Sequence, residues 1–428
     1  MLDEPSIGLH PHDHQKLLDA LVQLKNEGNT LLLVEHDPMT LKIAKTIIEF
    51  GPEGGENGGR ILAKGTLDEL KNNPLSITGQ VLNHKLFYHR KKLAIDGSID
   101  WIEVENASKY SLDRVSIRIP KNRITALTGV SGSGKSTLMH EILAPILKKT
   151  TLSRKRFDTF TQDGCTISNI KEFKHLIIVD QNPIGTTSRA DICSYTDMLT
   201  QFRSFYSELK EAQAYGLMPR HFSPNHIQGM CTECFGLGYI EVKLQLLPPA
   251  KKVCPLCQGK RLSLIALKIQ YQGLSLGDLF QMRSIDLVDL FSFHPKIHTT
   301  LKLLIDVGMG HLKIGQEVQT LSHGESQRLR FVRELITPTK GPALIFLDEP
   351  TTGLHDSDII KLMPIFDRLI DRGDTLLIIE HNLGVLQEVD YMIEMGPGAG
   401  KNGGKIVAFG PYDEFIKRDI GVTAAYLK

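Results

Sequence analysis

The chain has 428 residues, 41% of them apolar, enough to bury two or three cores. It holds no run of about eighteen apolar residues and no charged-then-apolar leader, so neither a membrane span nor a secretory signal is expected, and the cytoplasm is the predicted compartment. A formal net charge of +1 excludes a globally basic nucleic-acid binder and leaves local basic runs, His89–Lys92 and Lys148–Arg156, which read first as solvated faces.

In chain order, the pattern predicts a helix around His14–Leu24, a strand over Thr30–Glu35 and a helix around Met39–Ala44. Strands near Thr46–Glu49 and Arg60–Ala63 follow, an alternation that belongs to an α/β sheet. Residues 83–100 are polar and basic and read as a linker. Trp101–Ile119 alternates in the manner of antiparallel strands, and Arg123–Thr128 enters a glycine-rich loop. Residues 151–300 read as an insertion that splits an α/β domain into 101–150 and 301–428, whereas 1–82 read as the remnant of an earlier domain.

That division rests on a repeat. Leu2–Leu70 can be laid on Leu347–Phe415 without a gap, with about thirty identical positions. LDEPSIGLH becomes LDEPTTGLH, LLLVEH becomes LLIIEH, and GPEGGENGGRI becomes GPGAGKNGGKI. Only the second copy has a phosphate-binding loop upstream, so the first is expected to be a carboxyl-terminal remnant whose own loop is missing.

The loop is GVSGSGKST, fitting GxxxxGK[ST] between an apolar strand and the helical segment Thr137–Leu147. Gly129, Ser131, Gly132, Ser133 and Gly134 let the backbone fold around phosphate, whose charge is met by inward N–H groups and a helix amino terminus. Lys135 is expected at the β and γ phosphates of ATP and Ser136, followed by Thr137, at Mg²⁺. Asp348, at the end of LIFLD, is placed to hold Mg²⁺, and Glu349 to polarise the attacking water. His381 ends the strand LLIIE; alone it reads as a surface residue, but repetition of EH at Glu35 and His36, each at the same distance from its DEP, favours γ-phosphate contact. Gln181, after the apolar run Leu176–Val179, is a candidate sensor of metal and water.

Cys231, Cys234, Cys254 and Cys257 form two CxxC pairs nineteen residues apart. Two such turns supply four thiolates at tetrahedral corners, which suits a structural Zn²⁺ and leaves no open catalytic position. Cys165 and Cys193 lack partners at ligand spacing and read as ordinary core or surface thiols.

These motifs resemble the ABC-type ATPases. With the paired DEP segments, VDQNPIGTT, LSHGESQR and the cysteine module, the whole chain resembles the carboxyl-terminal half of the UvrA family, which recognises damage in bacterial nucleotide excision repair. The implied fold is an ABC-type nucleotide-binding domain interrupted by a zinc-containing insertion and preceded by the truncated end of a second ABC domain. The resemblance places a signature loop at Ser322, His323, Gly324 and Glu325, where the family's usual LSGGE reads LSHGE, and Thr186 stands where arginine is common. In the family each ATP lies between one domain's phosphate loop and the other's signature loop. Ser322 and Gly324, with Asp3, Glu4 and His36, would therefore surround a site whose phosphate loop is absent. Implied partners are double-stranded DNA, through Arg220, His221, Lys260 and Arg261 near the zinc, and either a second copy or a separate amino-terminal half. Other repair subunits are possible, although the family's UvrB-binding region lies outside the matched half. Alternatives are a zinc-stabilised DNA-binding fragment with little hydrolysis, or a UvrA-like paralogue in drug tolerance.

Overall fold

The structure, a computed structural model, describes all residues except 7, 52–57, 84–87, 154–156, 181–186, 188, 243–249, 337–340 and 419. It divides into two compact units, Met1–Gln181 with Pro338–Lys428, and Asn182–Thr337. The sequence expectation of a domain resuming at residue 301 and left at 151 differs, because the strand His175–Val179 pairs with Ala343–Asp348 and draws its flanks into the first unit.

Six strands make the central sheet of that unit: β1 (Ile124–Thr128), β2 (His175–Val179), β3 (Ala343–Asp348), β4 (Thr375–Ile379), β5 (Tyr391–Gly396) and β6 (Lys405–Pro411), in the spatial order β2-β3-β4-β1-β5-β6. The first five run parallel and β6 is antiparallel on the edge. β1, β4 and β5 are buried at every residue, as parallel strands covered on both faces are, Thr125 and Glu394 included. A four-stranded antiparallel sheet of Trp101–Lys109, Leu112–Pro120, Thr159–Gln162 and Cys165–Ser168 shares this core, packing Ile102, Val104 and Ile117 with Leu138, Leu143 and Phe346. The carboxyl ends of β1, β3 and β4 lie where Gly129 follows β1, Asp348 ends β3 and Glu380 follows β4, the end at which α/β sheets bind ligands.

Among the described residues the first copy, in the same unit, carries no such sheet. Its expected strand Thr30–Glu35 shrinks to Leu33–Val34, pairing in parallel with Leu2–Asp3, and Leu32 and Val34 stay exposed because no further strand flanks them among the described residues. The helix Pro11–Asn26 and the hairpin Ile47–Gly51/Arg60–Gly65 are as the periodicity predicts, around a small core of Leu41, Ile47, Ala63 and Leu70.

A reciprocal exchange holds the copies together. His10 Nδ1 accepts from the His12 N–H, so Nε2 carries the proton and donates to Thr423 Oγ1 of the second copy at 3.0 Å. Its repeat equivalent, His355, accepts from the Ser357 N–H at Nδ1 and donates through Nε2 to Thr78 Oγ1 of the first copy at 3.2 Å. Each threonine is seated by a glutamate: the Thr78 N–H donates to Glu49 at 2.8 Å and the Thr423 N–H to Glu394 at 3.1 Å.

The run His89–Lys92 is solvated at His89 and Lys91, which are exposed, but not at Arg90. The Arg90 side chain is 1% exposed, with Nε 2.5 Å from Asp367 and Nη1 2.6 Å from Asp390. Asp390 also accepts the N–H groups of Leu93 and Ile124, and Lys92 lies over the Tyr412 ring. These carboxylates lie almost 300 residues away in sequence, so a local reading misses the anchor.

The second unit is mainly helical, with Met198–Ser207, Pro295–Asp306 and His323–Ile336 the longest helices among the described residues. Phe202, Tyr206, Phe222, Phe280 and Phe291 fill its interior. A hairpin, Tyr239–Val242 with Ala250–Val253, leads from one CxxC turn to the other.

Candidate functional site

The phosphate loop leaves β1 by a route that requires glycine. Gly129 has φ +128°, and a Cβ there would lie 2.0 Å from the Met395 carbonyl oxygen; Gly134 has φ +106°. The second copy's glycine-rich segment folds over the loop, its Gly404 N–H donating to Ser133 O at 2.9 Å and its Gly400 N–H to Gly132 O at 3.1 Å. Sequence reasoning used that segment only as a repeat marker; its glycines mark the close backbone approach. Ser136 and Thr137 enter a helix, wound as a π-helix over Thr137–Leu143 and as an α-helix over Ala144–Leu152.

Lys135 is 6% exposed and its Nζ donates to Gly129 O at 2.8 Å and Val130 O at 3.0 Å. Burial brings its pKa down to about 8, while Glu349, Asp348 and Asp13 pull the other way. Ser131 Oγ, Ser133 Oγ and His381 Nδ1 are buried without a hydrogen-bond partner among the described residues. Buried hydroxyls left unpaired are costly, so a polar ligand fits this loop.

Asp348 and Glu349 sit at the end of β3. Glu349 turns out of the sheet at φ +47°, its N–H bonded to Ile379 O of β4 at 2.9 Å. His381 Nε2 is 3.7 Å from Glu349 Oε1, and the first copy repeats the pair with His36 Nδ1 3.9 Å from Glu4 Oε1. Burial, with Lys135 and His10 nearby, pushes the His381 pKa well down and keeps its ring neutral at pH 7. Asp348 Oδ2 meets His140 Nε2 at 2.8 Å, a neighbour the motif reading missed although His140 lies one helical turn beyond Ser136. Asp3 forms part of the two-residue strand pair. Gln181 and Thr186 lie outside the described residues.

First-copy side chains reach the second copy's loop. Asp13 Oδ2 accepts the Ser131 N–H at 3.1 Å, and the His10 and His381 rings meet edge to face, their centroids 5.5 Å apart. A cavity of about 500 Å³ lies between the copies, lined by the DEP and EH segments of both, including Glu4, His36, Glu349 and His381.

In the second unit the signature-loop residues form a capping box. Ser322 Oγ accepts the Glu325 N–H at 3.2 Å, the Glu325 carboxylate accepts the Ser322 N–H at 2.9 Å, and the helix begins at His323. Gly324 is buried and its carbonyl accepts from Arg328 Nε.

The four cysteines converge, with Sγ atoms all within 4.8 Å of one another; Cys231 and Cys254 are 3.8 Å apart, Cys234 and Cys257 3.6 Å. A tetrahedron with Zn–S of about 2.3 Å has edges of about 3.8 Å, so the donor set fits zinc. Each CxxC turn ends alike, with Phe235 and Gln258 at φ +50° followed by Gly236 and Gly259 at φ +84°. Arg261 leaves the group expected to face DNA: it is 5% exposed, paired with Asp191, and its Nε donates to Gly236 O at 2.8 Å. Lys260 is partly exposed and paired with Asp278 at 2.8 Å, Arg220 is exposed, and His221 Nδ1 accepts the Met218 N–H. Cys165 and Cys193 are buried and free. Among the described residues no helix is long and apolar enough to cross a membrane.

No family model matches the chain. The whole chain aligns with the UvrABC system protein A of Aquifex aeolicus at 40% identity over 430 residues, 46% of that protein. It also aligns with that of Bacillus subtilis at 40% over 435 residues, 44% of that protein. The chain thus spans about half the length of the curated relatives it matches. The crystal structure of UvrA2 from Deinococcus radiodurans superposes on the whole chain and on 51% of that protein, with a TM-score of 0.88 and 36% identity. The archaeal ribosome recycling factor aABCE1 covers 99% of the chain with a TM-score of 0.51 at 14% identity, a likeness of fold alone, over 62% of that chain. With its α/β fold, this chain is similar over its whole length to about half of the UvrA proteins.

Proposed function

We propose that the chain is the ATP-binding and hydrolysing, DNA-binding part of a damage-recognition subunit in nucleotide excision repair. The observation that carries this is the loop Gly129–Thr137, with two buried, unpaired serine hydroxyls, a buried lysine and an unpaired histidine nitrogen around it. Lys135 would exchange its loop carbonyls for phosphate oxygens, and Ser131 and Ser133 would gain the partners they lack. Ser136 and Asp348 would hold Mg²⁺, which when bound neutralises phosphate charge. Glu349 orients the attacking water, neutral His381 donates toward the γ phosphate, and Gln181 is a further candidate at the water.

Completion of the site calls for a signature loop such as Ser322 and Gly324 from another nucleotide-binding domain, for instance that of a second copy. The zinc module would present Arg220, His221 and Lys260 to double-stranded DNA, with affinity falling steeply as salt rises. A cytoplasmic location and work alongside other excision-repair subunits follow from this reading. Steady-state hydrolysis by the full chain, set against Glu349→Gln over a protein concentration series, tests it: the specific rate should rise with concentration and fall in the variant. A rate equal in both proteins refutes it.

A second reading, a zinc-stabilised DNA-binding fragment that binds ATP but scarcely hydrolyses it, is favoured by the His140 contact on Asp348, which occupies an oxygen that Mg²⁺ needs. A role as a drug-tolerance paralogue is separated from repair by survival assays.

A further inference from the structure

We infer that Glu380 is a positioning residue for hydrolysis: its buried carboxylate ties the turn that carries Glu349 to the loop that carries His381, and Glu35 is wired likewise in the first copy. The inference rests on the ATPase reading and adds a residue that touches neither phosphate nor water.

Glu380 is 3% exposed. One oxygen accepts the His381 N–H at 2.7 Å and the Asn382 N–H at 2.9 Å; the other accepts the Thr351 hydroxyl at 2.7 Å. Thr351 lies two residues beyond Glu349, so one carboxylate spans both functional segments. In the first copy Glu35 accepts the Ser6 N–H at 2.9 Å and the His36 N–H at 3.3 Å. Ser6 is the repeat equivalent of Thr351, but it donates through its backbone. The same two segments are joined by a different donor, so the tie does not depend on one hydroxyl.

The tie lies where the sheet gives out. The Glu349 N–H to Ile379 O bond is the last described between the two backbones at that end, and Glu349 then turns away at φ +47°. From there the spacing of 3.7 Å between His381 and Glu349 depends on loops that no ladder joins. Hydrogen bonds to an ionised acceptor are short and strong, and a displacement of about 1 Å at reacting groups can cost about a hundredfold in rate. Burial raises the Glu380 pKa to about 7, so holding this charge here is costly. An aliphatic side chain would fill the space without that cost, but would leave the His381 and Asn382 amides and the Thr351 hydroxyl unpaired.

The experiment compares Glu380→Gln, Glu380→Ala and Thr351→Val with wild type in the full chain. Mg-ATP affinity, kcat and amide hydrogen exchange at His381 and Asn382 are the readouts. Glutamine keeps all three bonds, its oxygen accepting the two amides and its NH₂ donating to Thr351, so it should retain kcat within about threefold. Alanine should lower kcat by about a hundredfold with nucleotide affinity nearly unchanged, and Thr351→Val, which keeps the side-chain shape, should fall between. Exchange at the two amides should quicken at least tenfold in Glu380→Ala and stay slow in Glu380→Gln. Wild-type kcat in both Glu380→Ala and Thr351→Val, or a glutamine variant as impaired as alanine, overturns the assignment. If wild type itself does not hydrolyse ATP, the ATPase reading fails separately, and unchanged amide exchange in Glu380→Ala then overturns the tie by itself.

Discussion

Replacing Arg90 by alanine removes the hub of the segment that joins the copies. Its guanidinium bridges Asp390, whose side chain is fully buried, and Asp367, which is 29% exposed. After the substitution Asp390 keeps, among the described residues, the N–H groups of Leu93 and Ile124, at 2.7 and 2.8 Å, to offset its charge. Breaking a buried pair from one side costs about 3–5 kcal/mol. The Asp367 arm, partly in water, adds at most about 1 kcal/mol. For a body of this size each kcal/mol lowers Tm by about 2–4 °C, so a fall of at least about 6 °C is expected. Arg418→Ala is the control, because its pair with Glu414 is more than half exposed on both sides and its loss should stay within about 0.5 kcal/mol. Urea unfolding gives the free energies and calorimetry the midpoints. A loss below about 1 kcal/mol for Arg90→Ala, with the m-value unchanged, refutes the argument that this segment is anchored through a buried charge.

Lys135→Ala should weaken ATP binding about tenfold to a hundredfold, the value of a charge-assisted contact of about 1.5–3 kcal/mol, as read by titration with a fluorescent nucleotide. Protein purified without chelator should hold one zinc per chain by elemental analysis. Cys254→Ser should lose it and quicken proteolysis of residues 231–257 while the first unit keeps its melting midpoint. His10, whose pKa burial lowers to about 4 from 6.5, binds fewer protons folded than unfolded between those values. Its contribution is therefore full above pH 6.5 and is lost as pH falls from 6.5 toward 4; the stability difference between wild type and His10→Gln should follow that window, and a pH-independent difference contradicts it.

What could be read from the sequence is what the chain keeps local. The phosphate loop is contiguous, its glycines are demanded by backbone geometry, and each CxxC turn closes within a few residues. Helix Pro11–Asn26 and strands β1, β3 and β4 follow from periodicity or from buried apolar runs. Contacts between distant segments could not be read. Arg90 looks like any basic linker residue until Asp367 and Asp390 close on it, and Arg261 looks like a phosphate contact until Asp191 takes it inward. The strand expected at Thr30–Glu35 is realised only at Leu33–Val34 for the opposite reason: its residues have strand character, but among the described residues their one neighbouring strand is the two-residue Leu2–Asp3. Ser322 and Glu325 carry a second signal, S-x-x-E, that marks a helix start and was overshadowed by the family motif.

The exchange of His10 for Thr423 and His355 for Thr78 bears on how such a duplication ages. Each copy owns half of two sockets, so a change in one copy's histidine is felt by the other copy's threonine, and the repeats drift as a pair. A hybrid in which residues 1–82 come from another sequence must import a histidine and a threonine that suit the resident partners at 423 and 355, or it inherits two mismatched joints at once.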